Sequence, residues 1–377
     1  MNLIISKTTT LIYRFVVKPI MFRVPPDRVH TDVIKLGSFV QGYSFFRWLI
    51  SSCWSYSNPK LNQNILGIDF KNPVGLSAGF DKNIELSPTI KSVGFGFMEG
   101  GTTTFQASEG NKRPWYHRLP KTKSLVVHAG LPNQGTKRIM KRVDSFSKNT
   151  YDNFPLNVSV AQSNVACVDG LETAIDDYEN GIKDIIKSSR VKMITLNISC
   201  PNTYDGEPFS NPKAMEKLLK RVDSLKIKQP IFLKMPSHIK WKQFDELLEV
   251  VKNHKVAGIT VSNLAHVKDV HFKDVLPEGI KGGFSGKPTF KLSNDLIYQT
   301  RKKYGDRFVI IGVGGIFSAD DAYTKIKLGA NLVEMITGVI FEGPQVIGQI
   351  NRGLVKRLGE DGFNSIEQAV GSAHRNK

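Results

Sequence analysis

Cysteine is scarce in this 377-residue chain: Cys53, Cys167 and Cys200 are the full set, and no two form a CxxC pair. A disulfide framework and a cysteine-based zinc site are therefore not expected, and a reducing compartment is the default. Acidic residues are also short, with 34 Asp and Glu against 52 Lys and Arg and a net charge of +18. That excess either favours anionic partners or describes a Lys-rich solvated surface. The eight His lack HxH and HExxH spacing, so no metal site is expected. A GxSxG elbow and a Walker A loop are missing, and Gly94-Phe95-Gly96 and Gly312-Val313-Gly314 lack the continuation of a dinucleotide fingerprint. With no RNA-binding signature beside the basic charge, nucleic acid is not an expected partner.

The remaining composition, 40% hydrophobic and 23% charged, is that of a soluble globular protein. Residues 1–24 carry Lys7, Arg14, Lys18 and Arg23 and no acid. Their apolar clusters are too interrupted for the roughly 20-residue run of a spanning helix, or for a secretory signal. A mitochondrial presequence shares this basic, acid-poor character. Beyond Pro25-Pro26, Asp27 is placed to cap a helix bearing Val29, Val33, Ile34 and Leu36 on one face. A second stretch holds Tyr43, Phe45, Phe46, Trp48, Trp54 and Tyr56. Two amphipathic, aromatic-rich helices suit either a membrane interface or a cover over one end of the main domain.

From residue 73 the pattern becomes rhythmic. Apolar, β-branched runs occur at 73–79, 96–104, 155–160, 193–199, 230–236, 257–263, 308–315 and 332–338. Stretches of helical period lie between most of them, at 171–188, 212–225, 241–254, 292–303 and 319–328. Eight buried strands alternating with helices predict an α/β fold, a TIM (β/α)8 barrel with an N-terminal helical extension. An open doubly wound sheet is the weaker alternative, because nearly every strand ends in a polar or Gly-rich motif rather than at one switch point. The segment 58–72 is read as a hairpin closing the barrel bottom. It divides an extension at 1–57 from a barrel at 58–377.

In such barrels the chemistry sits where strands end. Those ends carry Ser77-Ala78-Gly79-Phe80-Asp81-Lys82, Gly101-Thr102, Asn157, Asn197-Ile198-Ser199-Cys200-Pro201-Asn202-Thr203, Lys234, Ser262-Asn263, Gly312 to Gly315 and Ile336-Thr337-Gly338. Together with Gly282-Gly283-Phe284-Ser285-Gly286, the last two glycine-rich segments form a phosphate cradle, since glycine lets several backbone N–H groups converge on one anion.

These motifs, in this order, resemble dihydroorotate dehydrogenase from about residue 20 to 355, most specifically at Asn197 to Thr203. The segment from Lys18 to His30 is similar to the membrane-associated, quinone-using class, whose extra two-helix domain forms a tunnel to the flavin. The resemblance implies FMN-dependent oxidation of dihydroorotate to orotate in pyrimidine synthesis, with electrons passed to quinone. By position the base is Cys200, and Lys82, Asn197, Asn202 and Asn263 bind the substrate. FMN would be surrounded by Ser77, Ala78, Gly79, Thr102, Asn157 and Lys234 from the first half of the barrel, and by Ser262, Ser285, Gly286, Gly314, Gly315 and Thr337 from the second. His30 and Arg118 match the quinone side. Because the resemblance begins near residue 18, a long presequence is not expected. A peripheral enzyme on the cytoplasmic face of a membrane follows, or on the inner mitochondrial membrane in a eukaryote.

Three positions depart from that pattern. Cys200 stands where the quinone class normally has Ser, as in the soluble class. A thiol ionises near pH 8.5, far below a hydroxyl, so it needs less help as a base. Val127 replaces an Asn ligand of orotate and cannot hydrogen-bond through its side chain, which leaves His128 as a substitute or points to another substrate. Ile336 stands where the quinone class often has Tyr. The rival readings are a related flavin barrel acting on another pyrimidine-like substrate or with a soluble acceptor, and a silent homologue that binds membrane or nucleic acid.

Overall fold

The computed structural model describes residues 3–202 and 207–375; Thr203, the end of the expected catalytic loop, lies outside them. Eight strands form a closed parallel barrel: β1 (Val74–Leu76), β2 (Phe97–Thr104), β3 (Leu156–Ala161), β4 (Val191–Asn197), β5 (Ile231–Met235), β6 (Val256–Val261), β7 (Val309–Val313) and β8 (Leu332–Met335). Each pairs with its sequence neighbours, and β8 closes on β1 through Val333 opposite Val74. Helices lie outside this ring, so the strands are covered on both faces; all of β2 and β3 is buried. That double burial explains why they read as near-continuous apolar runs rather than alternating ones.

The intervening helices start and stop where their ends can be satisfied. The Asn211 side chain accepts from the backbone N–H groups of Lys213 and Ala214, with Pro212 beginning the helix Pro212–Asp223. Ser318 accepts from Asp321 N at the head of Ala319–Leu328, whose acids Asp320 and Asp321 lead and whose Lys325 and Lys327 follow.

At the barrel's N-terminal end the hairpin expected at 58–72 is present, Gln63–Ile65 against Ile68–Phe70. Its turn, Leu66-Gly67, has both φ angles positive, as a two-residue primed turn demands. Phe70 meets Phe97 edge to face at 5.5 Å. The two share a buried cluster with Met193, Phe232, Ile311 and Leu332 that plugs this end. Gly75 is required there, because a Cβ would lie 2.3 Å from the Phe97 ring.

The opposite end carries two layers. A three-stranded antiparallel sheet pairs Tyr116–Leu119 with Ser124–Val127, and the latter with Gly283–Phe284. Against it lie the N-terminal helices. One runs from Leu3 through a π turn at Tyr13–Val17 to Arg23; the others are Pro26–Val40 and Ser44–Trp54. Asp27 does not cap the second of these. Pro25 occupies the cap position and Pro26 the first turn, where a missing N–H costs nothing. The Asp27 carboxylate instead accepts from the backbone of Trp115 at 3.0 Å and Tyr116 at 3.4 Å. Further polar ties fix the layer: Arg118 to Val24 O (2.8 Å), the Tyr13 hydroxyl to Ile340 O (2.7 Å) and Gln41 to Glu85 O (2.7 Å). Among the described residues, no helix is long and apolar enough to cross a membrane.

Candidate active site

A cavity of about 630 Å3 opens at the C-terminal ends of the strands and continues between the N-terminal helices. The loop after β4 supplies one wall. Asn197 closes that strand, and its Nδ2 donates to Thr102 Oγ1 at 2.9 Å. Its Oδ1 accepts from Asn263 Nδ2 at 3.0 Å, and the same Nδ2 reaches Ser199 O at 2.6 Å. Asn202 donates to Val127 O at 2.9 Å. Asparagines from the ends of β4 and β6 and from the β4 loop thus face one space. Lys82 enters from the first strand's loop, held by Gly79 O at 2.8 Å and by the Tyr116 hydroxyl.

Cys200 lies on this wall, partly exposed to the cavity. Burial pushes its thiol up to about 11, the Asn202 backbone N–H pulls it back, and the nearby charges of Glu207 and Lys234 act in opposite directions. Its ease of ionisation, expected from the thiol alone, is therefore largely cancelled by its surroundings.

The far wall is built for an anion. Gly314 and Gly315 adopt φ of 107° and 73°. A Cβ at Gly314 would sit 2.6 Å from Thr289 Oγ1, and one at Gly315 would sit 2.4 Å from the Phe290 Cβ. Only glycine keeps this backbone open beside the N-terminus of the helix Thr289–Tyr304. Ser285 and Thr337 pair their hydroxyls at 2.8 Å on the same side, next to Gly286. Ser77, Ala78, Gly79 and Ser262 line the space between this cradle and the asparagines, and the Ser262 hydroxyl is buried without a hydrogen-bond partner. A buried orphan hydroxyl, a glycine cradle and a long apolar-walled cavity fit a phosphorylated, flat-ringed cofactor.

Asn157 is the expected cofactor residue that the structure does not bring to the wall. It sits within β3, donates to Thr195 Oγ1 at 2.8 Å and leaves its Oδ1 buried and unpartnered. A strand residue facing the barrel interior packs below the mouth. His128 likewise stays off the cavity wall; it contacts Asn202 Oδ1 at 3.4 Å and Asn111 at 3.3 Å. Val127 does line the cavity, with an apolar side chain. At the helical end, His30 Nε2 bonds Phe80 O at 2.7 Å, and burial lowers its imidazole to about 4. Arg118 lies over the Phe22 ring, and both His30 and Arg118 line the cavity.

One feature of the site escaped the motif reading. Lys234 Nζ lies 3.6 Å from Glu99 and 3.5 Å from Ser77 Oγ. Glu99 and Glu334 are both fully buried in the barrel. Burial, then the charge of Glu99, holds the Glu334 carboxyl well above the carboxylate range. Glu334 therefore keeps its proton beside Glu99. The signal was an acid in the middle of each of two apolar strands, Met98-Glu99-Gly100 and Val333-Glu334-Met335.

Residues 60–358 match the family model described as dihydroorotate dehydrogenase. The chain is 32% identical to the dihydroorotate dehydrogenase (quinone) of Trichodesmium erythraeum, covering 97% of this chain and 99% of that protein. Against the protein of the same name from Haloarcula marismortui it is 30% identical, over 95% and 98% of the two chains. A ligand-free dihydroorotate dehydrogenase structure from Eimeria tenella superposes with a TM-score of 0.79 at 24% identity, covering 90% of this chain and 99% of that one.

Proposed function

Since the chain belongs to the dihydroorotate dehydrogenase family, we propose that it oxidises (S)-dihydroorotate to orotate in pyrimidine biosynthesis, with FMN as cofactor and quinone as electron acceptor. The observation that carries this reading is the single cavity that joins the asparagine wall, the glycine cradle and the helical layer. When bound, FMN supplies the hydride acceptor and passes two electrons on to the quinone.

The chain's own residues do the rest. Lys82 faces the substrate carboxylate, and Asn197, Asn202 and Asn263 offer amides to its ring. Their mutual hydrogen bonds hold those amides in place before substrate arrives. Cys200 Sγ accepts the proton from C5. With a thiol near 11, only about one part in ten thousand is thiolate at pH 7, so proton removal speeds up as pH rises. Lys234 would set a fixed cation where a bound cofactor gains negative charge, and the proton held by Glu334 keeps a second buried carboxyl from adding negative charge beside it. Ser285, Gly286, Gly314, Gly315 and Thr337 would hold the phosphate.

The extension at 1–57 is the quinone entry. Ile12, Tyr13, Val17, Met21, Val33 and Leu36 line the cavity's outer part. Phe15, Phe45 and Trp48 are exposed elsewhere on this helical layer, as a peripheral contact with a bilayer requires. The localisation that follows is the cytoplasmic side of a membrane. Val127 supports a second reading, in which the substrate is a related pyrimidine without orotate's demand for an amide at that position. Anaerobic addition of dihydroorotate decides between them: bleaching of a yellow, FMN-loaded protein supports the first. Bound flavin that stays oxidised with dihydroorotate but is reduced by another cyclic pyrimidine supports the second.

A further inference from the structure

Beside the cavity, three loops bring together side chains that nothing in the oxidation of dihydroorotate uses. Glu207 follows the loop after β4, His238 lies in the loop after β5 and His266 in the loop after β6. One ligand atom from each lies within 4.8 Å of the others, the only such trio of His, Cys or acidic groups among the described residues. The Nε2 of His238 is 3.7 Å from one Glu207 oxygen, and the Nε2 of His266 is 3.9 Å from the other. Both separations exceed a hydrogen bond. They are a few tenths of an ångström above the roughly 3.4 Å between two ligand atoms of a tetrahedral ion with bonds of about 2.1 Å.

The imidazoles stack face to face, with centroids 4.0 Å apart and planes 7° from parallel, so a shared ion requires one ring to turn until both Nε2 lone pairs meet it. Ser210 Oγ, at 3.1 Å, is the hydrogen-bond donor to Glu207. Two further atoms are left over: His238 Nδ1 and Asp269 Oδ2 are both buried without a hydrogen-bond partner. Asp269 acts electrostatically on both histidines. A ligating histidine uses its other ring nitrogen to donate to just such a carboxylate.

The molecule contains its own contrast. His254 also has two carboxylates, Glu216 at 3.0 Å from Nε2 and Asp223 at 2.7 Å from Nδ1. Those bonds leave from opposite sides of one ring and satisfy it. At Glu207, His238 and His266 three separate loops instead gather one ligand atom each within 4.8 Å, with no hydrogen bond among the three.

We propose that Glu207, His238 and His266 bind one divalent cation of the zinc class, with a fourth position open to solvent. A two-histidine, one-carboxylate set suits zinc and its neighbours rather than calcium or magnesium. The ion clasps the segment that carries Cys200, Asn202 and Glu207 to the loops after β5 and β6. It therefore orders the substrate wall without touching substrate.

The test is equilibrium dialysis of the chelator-stripped, flavin-loaded full chain against Zn2+, with metal and flavin quantified together. The expected result is one zinc per chain at micromolar or tighter affinity, with slower amide exchange in residues 198–202 and 207–211. His266→Gln, the milder change because His266 is the most exposed of the three, and His238→Gln should each weaken binding by about 100-fold or more. Flavin content reports that each variant is folded. Cys200→Ser and His254→Gln should leave zinc binding unchanged. Absence of saturable binding would overturn the proposal, as would binding that survives both substitutions at the site or is lost with His254→Gln or Cys200→Ser.

Discussion

The barrel and the helical layer at its mouth are built on opposite terms. Leu171–Ile185, Pro212–Asp223 and Trp241–Val251 each bury a full apolar stripe against the strands. Pro26–Val40 and Ser44–Trp54 have no buried residue at all, and Leu36 and Trp48 remain more than 60% exposed. Barrel helices are held by packing. The N-terminal ones are held to the barrel by polar ties from Asp27, Arg118, Tyr13 and Gln41 and by the partly buried Phe22, Ile34, Ile50 and Trp54. In the proposed function, a surface that leaves so much apolar area exposed serves contact with another apolar phase, and the cavity opens between these same helices. Under the proposed function the difference separates two tasks, substrate chemistry inside the barrel and acceptor access outside it.

That division can be strained from either side. The largest effect is expected from Cys200→Ala, which removes the base altogether. Flavin reduction by dihydroorotate at neutral pH should slow by about 10²–10⁴-fold, with quinone reoxidation of reduced enzyme unchanged; an unaltered reduction rate removes Cys200 from the mechanism. Next, Phe97→Ala empties the plug beneath the barrel and should cost about 3–5 kcal/mol in denaturant unfolding. Trp48→Ala should stay within about 0.5 kcal/mol of the parent, and equal costs would erase the contrast. Trp48→Ala combined with Phe45→Ala should instead weaken binding to anionic vesicles by roughly tenfold or more, from the apolar area withdrawn. Smallest per step is the pH effect. Burial raises the Cys200 thiol to about 11, so the reactive thiolate is scarce below that value and grows as pH rises towards it. In the free enzyme, kcat/KM for dihydroorotate should climb about tenfold per pH unit from 7 to 9. A plateau by pH 8 contradicts the buried-thiol account.

Much of this was legible in the residues. Strands buried on both faces leave β-branched runs that periodicity finds, and Asn197 to Asn202, Lys82 and the glycine cradle sit at strand ends, where barrel chemistry lies. What failed did so for reasons of distance and competition. Gly283–Phe284 pairs with Ser124–Val127 across more than 150 residues, so no local pattern marks the mouth sheet. Asp27 has cap chemistry, yet two backbone N–H groups of Trp115 and Tyr116 compete for its carboxylate and win. Glu207, His238 and His266 have no spacing to recognise, because three separate loops bring them together.

Double-mixing stopped flow tests the division of labour most directly. Flavin is first reduced anaerobically with dihydroorotate, then reoxidised by a quinone, in the parent and in Met21→Trp, which fills the cavity within the helical layer. The account predicts flavin bleaching in both proteins at rates within about twofold, and quinone reoxidation slowed roughly tenfold or more in the variant alone. A parent flavin that dihydroorotate fails to bleach, or a variant slowed equally in both half-reactions, would contradict it.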